Sequence, residues 1–155
     1  MPFFLKIDMQ PFDYDDILDQ IVDKDIRYHK DAYYFIREAL DYTQQKLSKE
    51  AGGDEPRHIS GQELTDGLRK YALNNYGPMT KMVFNEWGIN ATEDFGEIVF
   101  NLVENNLLAK TENDSREDFA NGFDFNEAFV LPYQSSKTKI TDRKSQVRPN
   151  QGEDS

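Results

Sequence analysis

Cysteine is absent from this chain of 155 residues, which excludes disulfide bonds, thiolate nucleophiles and sulfur-ligated metal sites. No apolar run approaches the roughly 18 residues that a membrane-spanning helix requires. The first eleven residues carry one short apolar patch, Phe3-Phe4-Leu5, and no basic start, so they do not resemble a secretory signal peptide. These absences predict a cytoplasmic protein that does not associate with membranes.

Positive charge is also scarce. The chain holds 29 acidic and 18 basic residues, a net charge of −11, and residues 59–131 alone hold 13 acids against 5 bases. An acidic body repels phosphate backbones and anionic membranes at long range. The charge therefore predicts either a merely well-solvated surface or a partner of basic character.

Aromatic residues are abundant, with eleven Phe, eight Tyr and one Trp, and they can supply a well-buried core. They stop at Tyr133, after which Ser, Thr, Lys, Arg and Gln dominate. We therefore expect one compact domain over residues 1–132 and a disordered basic tail over 133–155. Within the domain, a helical pair over 13–50 precedes a winged-helix-like unit over 59–130.

The helical pair is predicted from the spacing of apolar residues. Asp13 to Asp23 carries them at the period of a one-sided helix, and a longer stripe runs from Lys30 to Glu50. Glycines and Pro56 then prevent the second helix from continuing.

Three further helices are predicted from their end signals. Ser60-Gly61-Gln62-Glu63 is a capping box that opens the first, and Gly77 ends it. The second follows Pro78 and ends at Trp87-Gly88-Ile89 in a Schellman arrangement. Thr92 is expected to cap the third, which runs to about Asn105.

A small hairpin is expected after the third helix. Leu107 to Thr111 is predicted as a strand, 112–115 as a turn and Arg116 to Phe119 as the return strand. Asp124 with Glu127 can then cap a single helical turn. The predicted fold class is mainly α (α+β), with the helical pair packed on a winged-helix-like three-helix unit and a short β-hairpin; a plain helical bundle with a hairpin is the alternative.

The surfaces that a winged helix would present to DNA carry acidic rather than basic residues. The outer face of helix 92–105 carries Asp94, Glu97, Asn101, Glu104 and Asn105, with no Lys or Arg. The wing carries four acids, Glu112, Asp114, Glu117 and Asp118, and one base, Arg116. Most nucleic-acid affinity comes from neutralising phosphates, so direct DNA reading is not expected. The face is then a solvated helix side, a docking surface for a basic protein, or a mimic of nucleic acid.

Signals for catalysis and cofactors are missing. The chain contains no nucleophile elbow, phosphate-binding glycine loop or zinc-protease helix, and its two histidines, His29 and His58, are far apart. No metal, cofactor or catalytic residue is predicted. Tyr33 and Tyr34 are candidate interface anchors, because aromatic side chains dominate binding hot spots.

Several spaced segments resemble a known family. They are His58-Ile59-Ser60-Gly61-Gln62-Glu63-Leu64, Trp87-Gly88-Ile89, Thr92 through Phe100, Tyr33-Tyr34-Phe35 leading to Ala39 through Thr43, and the pairs Asp118-Phe119, Asp124-Phe125 and Ala128-Phe129. Together they resemble the Verruco–Plancto-restricted family, a lineage-restricted bacterial family of uncharacterised proteins, over residues 12–130. The resemblance implies a bacterial origin and a compact domain, and it implies no activity.

The sequence thus predicts a non-enzymatic protein-interaction module with an acidic recognition face for a basic protein partner. A nucleic-acid-mimicking regulator that occupies a DNA- or RNA-binding partner is the alternative, and an enzyme of unrecognised type is the third. The sequence does not indicate an oligomeric state.

Overall fold

The computed structural model describes residues 4–5, 11–50, 52, 59–110 and 114–134, and within them the chain is mainly helical. The helices are α1 (Pro11–Lys24), α2 (Lys30–Glu50), α3 (Gly61–Tyr76), α4 (Thr80–Trp87), α5 (Thr92–Glu104) and α6 (Phe125–Phe129). The strands are β1 (Phe4–Leu5) and β2 (Leu108–Ala109), and 3₁₀ turns occupy Gly77–Met79, Arg116–Phe119 and Leu131–Tyr133. The predicted tail beyond residue 134 lies outside the described residues.

Helices α1 and α2 confirm the predicted helical pair. Tyr14, Leu18 and Ile21 of α1 are buried, as their helical spacing predicts. Helix α2 has the predicted bounds and lies at the centre of the fold, where it packs on α1, α3, α4 and α5.

Helix α3 begins and ends where its capping signals indicate. The Ser60 hydroxyl accepts from the Glu63 backbone N–H at 3.0 Å, and the Glu63 carboxylate accepts from the Ser60 N–H at 2.9 Å. Gly77 caps the other end. The capping box is therefore confirmed, and it fixes the direction in which α3 begins after Ser60.

Helix α4 ends in the predicted Schellman arrangement. Gly88 adopts a left-handed conformation, with φ of 88°, and the Ile89 N–H donates to the Phe84 carbonyl at 2.8 Å. Ile89 is fully buried. The turn lies directly on the α1–α2 loop, because a Cβ on Gly88 would come within 2.1 Å of the Arg27 carbonyl oxygen.

The predicted cap of α5 is wrong by one residue. Ala91 occupies the N-cap position, and Asp94 reaches back to accept from the backbone N–H groups of Asn90 and Ala91 at 2.8 and 3.1 Å. Thr92 lies in the first turn, and its hydroxyl accepts instead from the Gly122 N–H at 2.9 Å. The Thr92 hydroxyl, which the local sequence pattern assigned to capping, thus forms a tertiary hydrogen bond instead.

Phenylalanine side chains fill the core beneath these helices. Phe84 lies 5.4 to 5.7 Å, between ring centroids, from each of Phe35, Phe95, Phe125 and Phe129. Several of these contacts are edge-on, which suits the ring quadrupoles. This cluster joins α2, α4, α5 and α6 into one hydrophobic core.

The predicted hairpin is corrected in its second half. Strand β2 lies within the expected first strand, but it pairs antiparallel with β1, with Phe4 opposite Ala109. Arg116–Phe119 forms a 3₁₀ turn instead of a return strand, because Asp118 accepts from the Ser115 N–H at 3.0 Å and Phe119 is fully buried. Residues 111–113 of the expected turn lie outside the described residues.

Among the helices of the described ranges, none combines the length and the apolar character needed to cross a lipid bilayer.

Candidate functional site

The expected recognition face on α5 is largely engaged within the protein. Seven of the helix's thirteen residues are buried, so α5 is a central element and not a protruding one. Its polar side chains face the α1–α2 loop and the 3₁₀ turn Arg116–Phe119, and most of them have intramolecular partners.

Two arginines neutralise the carboxylates of this face. Arg27 lies 3.2 Å from one oxygen of Glu97, and Arg116 lies 3.3 Å from the other. Arg116 also pairs with Glu104 at 3.3 Å and places its guanidinium 4.9 Å from the ring centre of Phe100. Two carboxylates that the sequence assigned to a docking face, Glu97 and Glu104, are therefore paired within the protein.

Asp94 has a structural role in addition to its cap. The Tyr28 hydroxyl donates to its second carboxylate oxygen at 2.6 Å. Burial, together with this hydrogen bond, raises the pKa of Tyr28 well above its ordinary value. Both oxygens of Asp94 are thus committed, which leaves little for a partner to bind.

Asn101 links three elements of the fold. Its side-chain amide donates to Asp25 at 3.0 Å and to the Tyr33 hydroxyl at 2.9 Å. Hydrogen bonds from Arg27, and a weaker one from Asn101, hold the pKa of Asp25 well below its usual range. Asn101 therefore orders the interior of the fold.

The two tyrosines do not form the expected exposed pair. Tyr33 is fully buried, which corrects its proposed role as a surface anchor. Its position beside Ile36 on the inner side of α2 accounts for the burial. Tyr34 is half-buried, packs its ring 5.7 Å from that of Tyr14 and donates a hydrogen bond to Asp15.

The acids of the expected wing have different environments. Asp114 is buried, Asp118 is half-buried and Glu117 is exposed. Glu112 lies outside the described residues. Among the described acids of the wing, Glu117 and Asp118 face an open space.

That space is a cleft between α3 and the segment that follows β2. It has a volume of about 330 Å³. Its lining comes from four residues of α3 and six of the following segment: Gln62, Thr65, Asp66, Arg69, Glu117, Asp118, Ala120, Asn121, Gly122 and Phe123. We refer to it below as the α3 cleft.

Two glycines allow the walls of the α3 cleft to meet. A Cβ on Gly61 would lie 2.6 Å from the Cβ of Asp118, and one on Gly122 would lie 2.9 Å from the Thr65 methyl group. Real Cβ atoms do not approach so closely, so larger residues would push the 3₁₀ turn away from α3. The cleft therefore depends on these two small residues.

The charge of the α3 cleft is negative. It contains three carboxylates, Asp66, Glu117 and Asp118, and one guanidinium, Arg69. Arg69 is held by Asp66 at 2.9 Å, and Lys70 pairs with the same carboxylate at 3.0 Å. Although partial burial alone would raise the pKa of Asp66, the hydrogen bonds from Lys70 and Arg69 together keep it below its ordinary value.

Glu117 is the carboxylate of this cleft with the most freedom to bind. Its side chain is exposed, and within the described part of the chain it makes no hydrogen bond or ion pair. One oxygen of Asp118 is committed to the Ser115 N–H. The arrangement can therefore accept hydrogen bonds from a cationic group.

The residues of α3 in this cleft, and Asn121 and Phe123, were not predicted from the sequence. The sequence predicted that Gln62 belongs to the capping box of a helix and gave no sign of what lies opposite that helix. A signal existed in Asn121-Gly122, which marked a tight turn and hence a return of the chain. It did not indicate that the turn folds back onto α3.

A second group of acids, Asp15, Asp16 and Asp19, lies on α1 with carboxylate oxygens within 4.8 Å of one another. Lys30 pairs with Asp15 and Asp19, each at 2.7 Å, so the chain supplies its own cation there. His29 is exposed and accepts from the Asp31 N–H at 3.0 Å, and His58 lies outside the described residues. These contacts give no reason to place a metal ion.

Comparison with protein-family models, with curated proteins and with solved structures finds no match for this chain.

Proposed function

We propose that this chain is a non-enzymatic protein-interaction module, built on a winged-helix-like unit of α3, α4 and α5, which binds a basic protein partner through an acidic surface. The observation that carries the proposal is the α3 cleft, in which Asp66 is paired with Arg69 and Lys70, while Glu117 and Asp118 form no ion pair within the described part of the chain. The proposal differs from the expectation drawn from the sequence in its location: the surface is the cleft, and not the outer face of α5.

The neutralisation of α5 supports this relocation. Glu97 and Glu104 already pair with arginines of the chain, so a basic partner would have to displace Arg27 or Arg116 to reach them. Glu117 requires no such displacement. A partner gains more from a carboxylate that water alone solvates than from one that is already paired.

The composition of the cleft favours binding over catalysis. The described residues of its lining include carboxylates but no histidine, and the cleft is open to solvent. General acid–base catalysis usually pairs such carboxylates with a group whose pKa is tuned toward neutrality by burial. Asp66 is shifted in the opposite direction.

The position of α5 supports the proposal that the chain does not read DNA. A recognition helix places its outer face in the major groove. Here the 3₁₀ turn Arg116–Phe119 and the α1–α2 loop contact that face of α5. Arg27 and Arg116 form ion pairs with Glu97.

Affinity purification with the whole chain as bait tests the proposal. Wild type, Glu117→Gln and Glu86→Gln would be compared, because both glutamates are exposed but Glu86 lies on α4, outside the cleft. We expect a basic protein that Glu117→Gln retains several-fold less well and that Glu86→Gln retains fully. Equal retention by all three baits would contradict the proposed surface.

The alternative, a nucleic-acid-mimicking regulator, predicts a further result with the same partner. The DNA or RNA that the partner binds should displace this chain from the partner, and this chain should displace the DNA or RNA. A partner that binds nucleic acid and this chain at once would exclude the alternative and leave the interaction module in place.

A further inference from the structure

We propose that the α3 cleft receives the guanidinium group of an arginine side chain from the partner. This inference rests on the proposed function, and it names the chemical group that the cleft recognises. It is supported by the size of the cleft, its charge, its aromatic wall and two arginine sites elsewhere in the fold.

The size of the α3 cleft suits a single side chain. Its volume of about 330 Å³ is at the lower end of the range for small-molecule sites, roughly 300 to 1,000 Å³. It is also open, so a side chain that projects from a partner can enter it. A large cofactor would find few enclosing walls.

The charge of the cleft selects a cation. Its own cation, Arg69, is already held by Asp66. Glu117 and the second oxygen of Asp118 remain as acceptors at the other wall, and Gln62 and Asn121, whose amide side chains contain acceptor oxygens, belong to the same lining. This set of oxygens can accept several N–H groups at once, which a guanidinium offers in a planar fork.

The aromatic wall favours arginine over lysine. Phe123 lines the cleft, and its half-buried ring stacks on Phe125 with an interplanar angle of 26° and ring centroids 5.7 Å apart. That packing holds the Phe123 ring in a fixed orientation. A planar guanidinium stacks on an aromatic face while it donates to carboxylates, whereas an ammonium acts as a compact, strongly hydrated point charge.

The same combination already binds arginine twice within this fold. Arg27 pairs with Asp25 at 2.6 Å and lies 5.1 Å from the ring centre of Tyr28. Arg116 pairs with Glu97 and lies 4.9 Å from the ring centre of Phe100. The α3 cleft offers a third set of carboxylates beside a ring, on the surface, for an arginine from outside.

Nuclear magnetic resonance of the full-length chain can test the inference with a probe of known chemistry. The capped tripeptide acetyl-Gly-Arg-Gly-amide would be titrated into the labelled protein, with the lysine and citrulline tripeptides as matched controls. We expect saturable shifts at the backbone amides of Gln62, Asn121 and Gly122, several-fold weaker binding of the lysine peptide and no saturation with uncharged citrulline. Equal responses to citrulline, or shifts confined to other surfaces, would overturn the inference.

Glu117→Gln provides the second arm. Loss of one charge-assisted hydrogen bond should weaken binding of the arginine peptide about tenfold, while Glu86→Gln should leave it unchanged. Unaltered binding to Glu117→Gln would contradict the assignment, and the unshifted remainder of the spectrum would show that the variant is folded.

The two proposals can fail separately. If a basic protein partner depends on Glu117 but the arginine peptide does not bind, the interaction module stands and the arginine assignment is wrong. If the peptide binds in the cleft but no protein partner is retained, the arginine site stands and the proposed function is wrong.

Discussion

Arg27 and Glu97, seventy positions apart in the sequence, meet at 3.2 Å and connect the α1–α2 loop to the middle of α5. Arg116 binds the other oxygen of the same carboxylate. Glu97 is therefore the point at which three separate parts of the chain are held together electrostatically. A residue that the sequence assigned to an external partner has its partners inside the protein.

Substitution of Glu97 should affect stability rather than partner binding. A double-mutant cycle with Arg27→Gln and Glu97→Gln should give a coupling energy of about 0.2 to 1 kcal/mol, since both groups are partly exposed and solvent screens them. The coupling should decline as salt is added. Glu97→Lys should lower the melting temperature more than Glu97→Gln does, because the lysine ammonium would be repelled by the guanidiniums of Arg27 and Arg116. A Glu97→Lys protein as stable as wild type would show that these ion pairs do not form in solution.

Asp25 should make the protein sensitive to acid. Because its pKa is lowered in the folded state, its stabilising contribution is present above the ordinary aspartate pKa of about 4 and is lost as the pH falls below that value. Asp25→Asn should therefore be less stable than wild type at pH 7. The difference in their free energies of unfolding should become smaller as the pH approaches 2. Urea unfolding across this pH range measures the difference. Asp23→Asn, at an exposed position on α1, is the matched control.

Gly88→Ala should be substantially more destabilising than Gly52→Ala. Both glycines have a left-handed backbone, with φ of 88° and 84°, so both substitutions carry a similar conformational cost of about 1 kcal/mol. A Cβ at position 52 meets nothing within 4 Å, whereas one at position 88 meets the Arg27 carbonyl oxygen at 2.1 Å. We expect an additional loss of about 1 to 3 kcal/mol for Gly88→Ala by chemical denaturation. Equal losses would mean that the α1–α2 loop does not lie on this turn.

Ala91→Ser should stabilise the protein. Ala91 occupies the N-cap of α5 and has no side-chain acceptor, while a serine hydroxyl could accept from the backbone N–H groups of the first turn. The expected gain is about 0.5 to 1 kcal/mol in the free energy of unfolding. Thr92→Val tests the complementary point, because its hydroxyl accepts from Gly122 and its loss should be destabilising. A neutral Ala91→Ser would indicate that the N–H groups of the first turn already have sufficient acceptors, as the Asp94 N–H has in the Ala91 carbonyl at 3.0 Å.

Local features of the fold were predictable because their determinants are close together in the sequence. Ser60 and Glu63, three positions apart, exchange hydrogen bonds between side chain and backbone. After Gly88 turns the chain, the Ile89 N–H donates to the Phe84 carbonyl, five positions earlier. Asp124 caps α6 in the same way, accepting from the Glu127 N–H at 3.0 Å. Each of these geometries follows from residue types at fixed short spacings.

The site was less predictable because tertiary contacts reassigned the residues that a pattern had placed on an outer face. Arg116 looked like an isolated base in an acidic wing, yet it neutralises two glutamates of α5. Tyr33 was expected at the surface, yet Asn101 binds its hydroxyl in the interior. Helical periodicity states which residues share a side, but the identity of the neighbour depends on how distant segments pack.

The pairing of Phe4–Leu5 with Leu108–Ala109 also affects the order of assembly. Strand β1 is synthesised before α1, and its partner β2 follows only after α5. Closing so long a loop carries an entropic cost that short-range contacts avoid, so the helices gain their contacts earlier. We expect the strand pair to form last, after the helices have packed together. Its contacts should then lower the unfolding rate without raising the folding rate.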